Sequence, residues 1–278
     1  MLARLARLLG TDGNCFDVAI DHGVFNEPTF LGGIEDMERA VAAIVEAGPD
    51  AIQLTPGQAP LLQRIPGKAK PALVMRADVA NVYGTALARH LFCHLVDEAV
   101  AEAVRLDAAA VVVNLLLVPD RPELHRQCLE NVVRLRPACQ HAGMPLMVEP
   151  IAMALPDAGS GGYRVDGDAE KIVPLVRQAI ELGADLIKAD PTDVPDDFRR
   201  VVIVAAGKPV LVRGGGKASE VEIFRRTRAL LDMGARGIVY GRNVIQHPRP
   251  TAITRAFMAM VHEGATPERA MAIVARAD

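Results

Sequence analysis

The segment "GADLIKADPT" (183–192) sets Lys188 at the end of a short apolar run, with Asp185 and Asp190 on either side. A free ε-amine titrates at about 10.4, but burial or neighbouring cations can depress that value and turn the amine into a nucleophile toward ketones and aldehydes. The resulting iminium withdraws electrons and permits a C–C bond at the neighbouring carbon to break or form. The flanking carboxylates favour the charged amine instead. Lys188 is therefore a candidate imine-forming lysine, with a simple charge partner or a solvated strand-end side chain as the competing readings. Two-residue alternation puts Asp190 on the face of Lys188 and turns Asp185 elsewhere, which makes Asp190 a candidate participant and Asp185 structural.

A second acid–base group is Glu149 in "PLMVEPIAM" (145–153). Its apolar setting is expected to raise its pKa, as suits a group that both gives and takes a proton; the alternative is a buried carboxylate paired to Lys188 or Arg76. The third is Asp21, followed by His22. Two glycine-rich stretches, "VRGGGK" (212–217) and "VYGRN" (239–243), place Arg213, Gly214, Gly215, Gly241 and Arg242 where backbone N–H groups can approach an anion without a Cβ in the way. A phosphorylated substrate follows from them; the competing reading is a pair of tight turns. The grouping of His90, Cys93 and His94, read as one helical face, is a weak zinc candidate with no apparent fourth ligand. No metal and no cofactor is expected.

These residues need a scaffold that brings them together. A rhythm of β-branched apolar run, turn and charged amphipathic helix recurs along the chain. The predicted strands are 16–21, 51–55, 72–77, 109–116, 145–151, 184–190, 208–214 and 236–241. Near-continuous apolar strands alternating with helices argue for an all-parallel sheet covered by helices, and this number closes a (β/α)8 TIM barrel. The competing doubly wound sheet lacks its G-x-G-x-x-G after the first strand. In a barrel the strand C-termini line the active-site mouth. The polar residues there are Asp21 and His22, Gln53, Arg76 and Asp78, Asn114, Glu149, Lys188 and Asp190, Arg213, and Gly241 with Arg242; Arg76, Asn114, His22 and Asp190 join the candidate substrate contacts.

The chain has 278 residues, half of them hydrophobic, which suits one domain spanning 1–278. A net charge of −3 offers no bulk attraction to nucleic acid or an anionic membrane, and no apolar run reaches membrane-spanning length. Cys15, Cys93, Cys128 and Cys139 form no CxxC, as expected of reduced thiols in a cytoplasmic protein. "MLARLARLLG" reads as a short N-terminal helix, a candidate barrel plug, and "TPERAMAIVARA" as an extra C-terminal helix with Thr266 as N-cap. The glycine-rich segment 157–168, with Tyr163, is a candidate lid.

Taken together, "AIDHGVF", "GADLIK", "RGGGK" and "VYGRNVIQHPRP" resemble, in order, the strand 1 motif, Schiff-base strand, phosphate loop and closing phosphate motif of the archaeal-type class I fructose-bisphosphate aldolases. These belong to the wider deoxyribose-phosphate/tagatose-bisphosphate aldolase group. The resemblance implies a metal-independent aldehyde-lyase with Lys188 as imine-forming residue and Asp21 as the strand 1 acid. Gly214, Gly215, Gly241 and Arg242 would be the phosphate cradle. Arg213 stands where the family has serine. Strand 5 lacks the archaeal tyrosine acid, Ile151 falling near its place; "VEPI" is similar to the Glu-Pro strand of vertebrate-type and tagatose-type enzymes, which assigns the proton shuttle to Glu149. The same group includes an autoinducer-2 phosphate thiolase, which requires coenzyme A, and an amino-dideoxy-heptulosonate synthase. These stand as alternatives to carbon–carbon cleavage of a phosphorylated ketose. A homo-oligomer, pentamer or decamer, is expected from the resemblance.

Overall fold

The computed structural model describes residues 1–67, 69–84, 88–155 and 163–276. Eight parallel strands form the barrel: β1 (Cys15–Ala19), β2 (Ala51–Leu54), β3 (Ala72–Arg76), β4 (Ala110–Leu117), β5 (Leu146–Ala154), β6 (Leu186–Ala189), β7 (Val210–Arg213) and β8 (Gly237–Tyr240). Their order is β4-β3-β2-β1-β8-β7-β6-β5, and pairing of β4 with β5 closes the ring. After each strand comes a helix, in turn Met37–Ala47, Ala59–Gln63, Ala99–Arg105, Pro122–Ala142, Ala169–Glu181, Phe198–Val204, Glu220–Asp232 and Pro250–His262. This is the (β/α)8 barrel the apolar rhythm predicts. No helix among the described residues is long and apolar enough to cross a membrane.

Strand alternation sorts the barrel into an apolar base and a polar mouth. The outward residues, such as Phe16, Val18, Ile52 and Leu73, pack with the helices in one large core. The inward ones near the base, including Ala51, Val74, Ala110, Met147, Leu186 and Leu211, form a second cluster inside the ring. The N-terminal helix Leu2–Leu8 closes that base: Leu8 is fully buried in the inner cluster with Leu5 and Leu9 against it. Arg4 Nη1 donates to Ala108 O at 2.6 Å, and Arg7 pairs with Asp107 at 2.8 Å, fixing the helix beneath β4. Thr266 caps the last helix, Pro267–Arg276, through Arg269 N.

At the same end, His262 joins the final barrel helix to the starts of β1 and β2. Its Nε2 lies 2.8 Å from Asp50 and its Nδ1 3.0 Å from Asp12, while Asp50 also accepts from Phe16 N at 2.7 Å. The Asp50 hydrogen bond raises the imidazole to about 9 against the opposing pull of burial. A raised pKa means stability fully present below the unfolded value near 6.5 and lost as pH climbs through about 9. His262→Gln should therefore lower the thermal midpoint at about pH 6 by roughly 2–4 °C, for a solvent-screened contribution of about 1 kcal/mol, and change it little at about pH 10. Thermal melts at the two pH values check this; an equal loss at both would show a packing effect instead.

A short antiparallel ribbon that the sequence reading did not anticipate follows β3, pairing Asp78–Ala80 with Cys93–Leu95. It corrects the helical reading of His90, Cys93 and His94: His90 precedes the second strand, Cys93 is buried, and His94 is exposed and stacked on Phe92. Of the histidines, His125, His141 and His262 sit in α-helices, and His90 and His94 do not. Asn81 clamps the ribbon's loop, accepting from Phe92 N at 2.8 Å and donating to His90 O at 2.8 Å. Within the candidate lid, residues 157–162 lie outside the described residues; Tyr163 is buried against the core.

Candidate active site

Most barrel strands carry a polar residue in their inward series near the mouth, and several of these converge. Lys188 Nζ lies 3.1 Å from Glu149 Oε2 and donates to Gln53 Oε1 at 3.2 Å. Gln53 in turn donates through Nε2 to Asp21 Oδ2 at 2.6 Å. Arg76, deeply buried, spans the mouth with Nε on Asp21 at 2.7 Å, Nη2 on Glu149 at 2.7 Å and Nη1 on Asp78 at 3.3 Å. Arg213 meets Glu149 Oε1 through Nε at 2.9 Å, Asp190 through Nη1 at 2.8 Å and the Tyr83 hydroxyl through Nη2 at 2.7 Å. Burying this many charges is tolerable because nearly every one is paired and hydrogen-bonded.

The protonation states follow from that wiring. Burial, the largest influence on Glu149, raises its pKa, but Lys188, Arg76 and Arg213 together outweigh it and hold the carboxyl below its ordinary range. The expectation that an apolar setting raises Glu149 is thus corrected: the strand around it is apolar, but the carboxyl faces three cations. Asp21 behaves alike; burial raises it, and Arg76 and Lys188 bring it down. Asp190 and Asp78 are raised, burial exceeding the pull of Arg213 and Arg76 respectively. His22 is lowered, chiefly by burial.

The mouth encloses a cavity of about 70 Å³ lined by Asp21, His22, Arg76, Glu149, Lys188 and Arg213 on one side. Gly214, Gly215, Gly241, Arg242 and Asn243 line the other. Ala19, Val239 and an aromatic cluster complete its wall: Tyr83 packs edge-on against Phe25 at 4.8 Å and tilted against Phe30 at 5.5 Å. Arg242 lies over Phe30 with its guanidinium carbon 4.5 Å from the ring centre, a cation–π contact that holds it at the rim.

The glycine loops are built for close backbone approach. Gly215 has φ +62°, a left-handed conformation that strains any side chain, and a Cβ on Gly241 would come within 2.4 Å of Ala19 O. Asn243 stitches the two loops, donating to Gly216 O at 3.1 Å and Gly214 O at 3.3 Å while accepting from Ala218 N at 3.0 Å. The far end of the first loop is anchored by a Ser219/Glu222 capping box on the next helix. The two loops and the rim arginine together form a glycine-rich corner of the cavity, in which the Gly214 N–H is taken by Val239 O at 3.1 Å.

Of the residues singled out in the sequence, Lys188, Glu149, Asp21, His22, Arg76, Arg213, Gly214, Gly215, Gly241 and Arg242 meet around this cavity. Asn114 and Asp190 do not line it. Asn114 holds Asp78 through its backbone N at 2.7 Å and its amide at 3.2 Å, and Asp190 braces Arg213. Arg213 makes one protein contact from each of its three nitrogens, so it positions Glu149 and Tyr83, while one N–H on each of Nη1 and Nη2 remains beyond those contacts. Asp185 takes Arg136 at 3.0 Å and Leu146 N at 3.1 Å, a structural post. Sequence reasoning passed over Tyr83, Phe25, Phe30 and the internal Asp17. Asn243 was visible in "GRN" as a polar residue inside an otherwise apolar helix start.

A closed (β/α)8 barrel whose mouth joins a buried lysine–carboxylate cluster to a glycine-rich corner edged by an arginine defines a lyase-type barrel enzyme. The chain belongs to the DeoC/LacD family of aldolases, which it matches over residues 15–247. It is 33% identical over 278 residues to an uncharacterized aldolase of Saccharolobus solfataricus, covering 98% of this chain and 97% of that one. It is 31% identical to the 2-amino-3,7-dideoxy-D-threo-hept-6-ulosonate synthase of Halobacterium salinarum (97% and 94% covered). The 3-hydroxy-5-phosphonooxypentane-2,4-dione thiolase of Escherichia coli O139:H28 is also 31% identical (97% and 85% covered). Among solved structures it is similar to a Schiff base-forming fructose-1,6-bisphosphate aldolase, with TM-score 0.77, 26% identity and coverage of 94% and 99%. The family resemblance seen in the four motifs is therefore correct, and the protein is an aldolase of the lyase class.

Proposed function

We propose that this aldolase works through a Schiff base on Lys188, cleaving or forming a phosphorylated ketose or related keto-sugar. The observation that carries the reading is the setting of the Lys188 amine, 3.1 Å from Glu149 and 3.2 Å from Gln53, in one cavity with the glycine-rich corner. The phosphate rests on the Gly214–Gly215 and Gly241–Arg242 backbones, which points the substrate carbonyl at Lys188. Glu149 takes the proton that the amine must lose. Nζ adds to the carbonyl carbon, the hydroxyl of the carbinolamine leaves as water, and the nitrogen lone pair forms the iminium. The β-hydroxyl then gives up its proton as the C–C bond breaks, its electron pair passing to the iminium to leave an enamine. Asp21 acts on Lys188 through Gln53, fixing the amide so that its oxygen faces the amine.

Glu149 and Lys188 are coupled through charge. Lys188 is foremost among the cations that hold Glu149 ionised. Once Nζ becomes a neutral carbinolamine nitrogen, burial has less to oppose it and the carboxyl gains proton affinity at the moment it must carry one.

Borohydride reduction in the presence of a keto-sugar phosphate should add the reduced substrate's mass to the Lys188 peptide, read by mass spectrometry. Turnover without any adduct would sink the imine mechanism. The likeness to the thiolase, at 31% identity, supports a second reading in which the same lysine serves acyl transfer to coenzyme A. Full turnover of a keto-sugar phosphate in the absence of coenzyme A removes that reading.

A further inference from the structure

Resting on the Schiff-base reading, one step still lacks its donor: expelling water from the carbinolamine needs an acid at the cavity wall. In the resting site Glu149 and Asp21, the two carboxylates nearest the lysine, are both held as anions. Even after it has taken the amine proton, Glu149 keeps Oε1 on Arg213 and Oε2 on Arg76, while Asp21 stays on Arg76 and Gln53. Asp78 and Asp190 are buried away from the cavity behind Arg76 and Arg213.

We infer that Tyr83 is the catalytic acid that protonates the departing hydroxyl of the Lys188 carbinolamine. Its ring forms part of the wall of the cavity that holds Lys188. Its oxygen accepts from Arg213 Nη2 at 2.7 Å, which leaves the phenolic hydrogen directed away from that guanidinium, and it has no acceptor among the described residues. The same guanidinium contacts Glu149, itself 3.1 Å from Lys188, so phenol and amine stand on one bonded chain. Asn81 clamps the loop on which Tyr83 sits, and Phe25 and Phe30 fix its ring. The charged groups facing the hydroxyl are Arg213 from β7, Glu149 from β5, Asp190 after β6 and Arg242 after β8.

The step balances. The C–O bond of the carbinolamine breaks, its oxygen takes the phenolic proton and leaves as water, and the nitrogen lone pair forms C=N. The phenolate left behind is held by Arg213. In cleavage it takes the β-hydroxyl proton as that oxygen becomes a carbonyl, the C–C pair moves into the enamine, and Tyr83 is restored.

Tyr83→Phe keeps the three-ring cluster and removes only the acid. Its turnover should fall about 100-fold or more, as for loss of a general acid, with KM within about threefold of the parent. Because borohydride reduces the iminium and not the carbinolamine, the Lys188 adduct should also form about 100-fold more slowly. Turnover and trapping within about threefold of the parent would overturn the assignment and turn attention to His22, which also lines the cavity. Lost turnover with unchanged trapping speed would equally overturn the dehydration role. Should Tyr83→Phe fail to fold, 3-fluorotyrosine placed at position 83 preserves size and lowers the phenol pKa. The alkaline limb of the trapping rate then moves to lower pH, and an unmoved limb rejects the role. Absence of any adduct in the parent enzyme would count against the Schiff base itself, separately from Tyr83.

Discussion

Lys188→Arg is expected to abolish turnover, by about 10⁴-fold or more, on the scale of nucleophile deletions in covalent catalysts. The substitution is chosen to separate charge from chemistry. A guanidinium keeps a cation opposite Glu149 and can still donate toward Gln53, so the buried network remains paired, but it cannot lose a proton and form an imine. By contrast, Lys188→Ala strips a cation from a buried carboxylate, a change that costs about 3–5 kcal/mol when no other partner remains. Here Arg76 and Arg213 stay on Glu149 at 2.7 and 2.9 Å, so the loss should be smaller. Normal turnover by the arginine variant would reduce Lys188 to a charge partner and return the barrel to a phosphate-binding role without covalent chemistry. Steady-state kinetics beside a thermal melt reads both quantities.

The barrel and the candidate site were legible for the same reason. A strand buried on both faces is almost wholly apolar, so a lysine or glutamate near its C-terminal end stands out, and strand ends in a barrel share one mouth. Lys188, Glu149, Asp21 and Arg76 emerge this way. The glycine loops were legible because close backbone approach leaves few other residues possible, as the 2.4 Å approach at Gly241 shows. What sequence could not convey is which charges neutralise each other. Arg213 beside three glycines reads as a phosphate ligand, and nothing in the sequence signals that each of its nitrogens also meets Glu149, Asp190 or Tyr83, partners remote in sequence. Glu149 in an apolar run reads as a raised carboxyl, yet three cations arrive from β3, β6 and β7. Tyr83 was hidden because it lies in the connection between the two short strands of a ribbon with no distinctive alternation, whose second strand read as a helical face.

Asp17→Asn should stabilise the protein at neutral pH by up to about 4 kcal/mol, and by progressively less as pH falls toward 4. Asp17 lies on β1 two residues below Ala19, fully buried, and neither carboxyl oxygen has a hydrogen-bond partner among the described residues. Burial is the leading influence and lifts it to about 7; Lys188 opposes that lift, and Asp21 adds to it. Its folded pKa exceeds the unfolded value of about 3.9, so between those values the folded state holds the extra proton and stability declines as pH rises. About three pH units at about 1.36 kcal/mol each give the size of the effect. An asparagine copies the shape and neutrality of the protonated acid, leaving the same unpaired polar atoms, so the comparison isolates the cost of ionisation. Denaturant unfolding from about pH 5 to pH 8 should show a falling stability in the parent that is flattened in the variant. Parallel curves would mean that Asp17 finds a partner in solution. An unpaired carboxyl beneath the catalytic layer is costly to keep, and Lys188 feels its charge: as Asp17 ionises near neutrality, the field at the amine changes. The variant's pH–rate profile should therefore shift along with its stability, and an unshifted profile would confine Asp17 to folding.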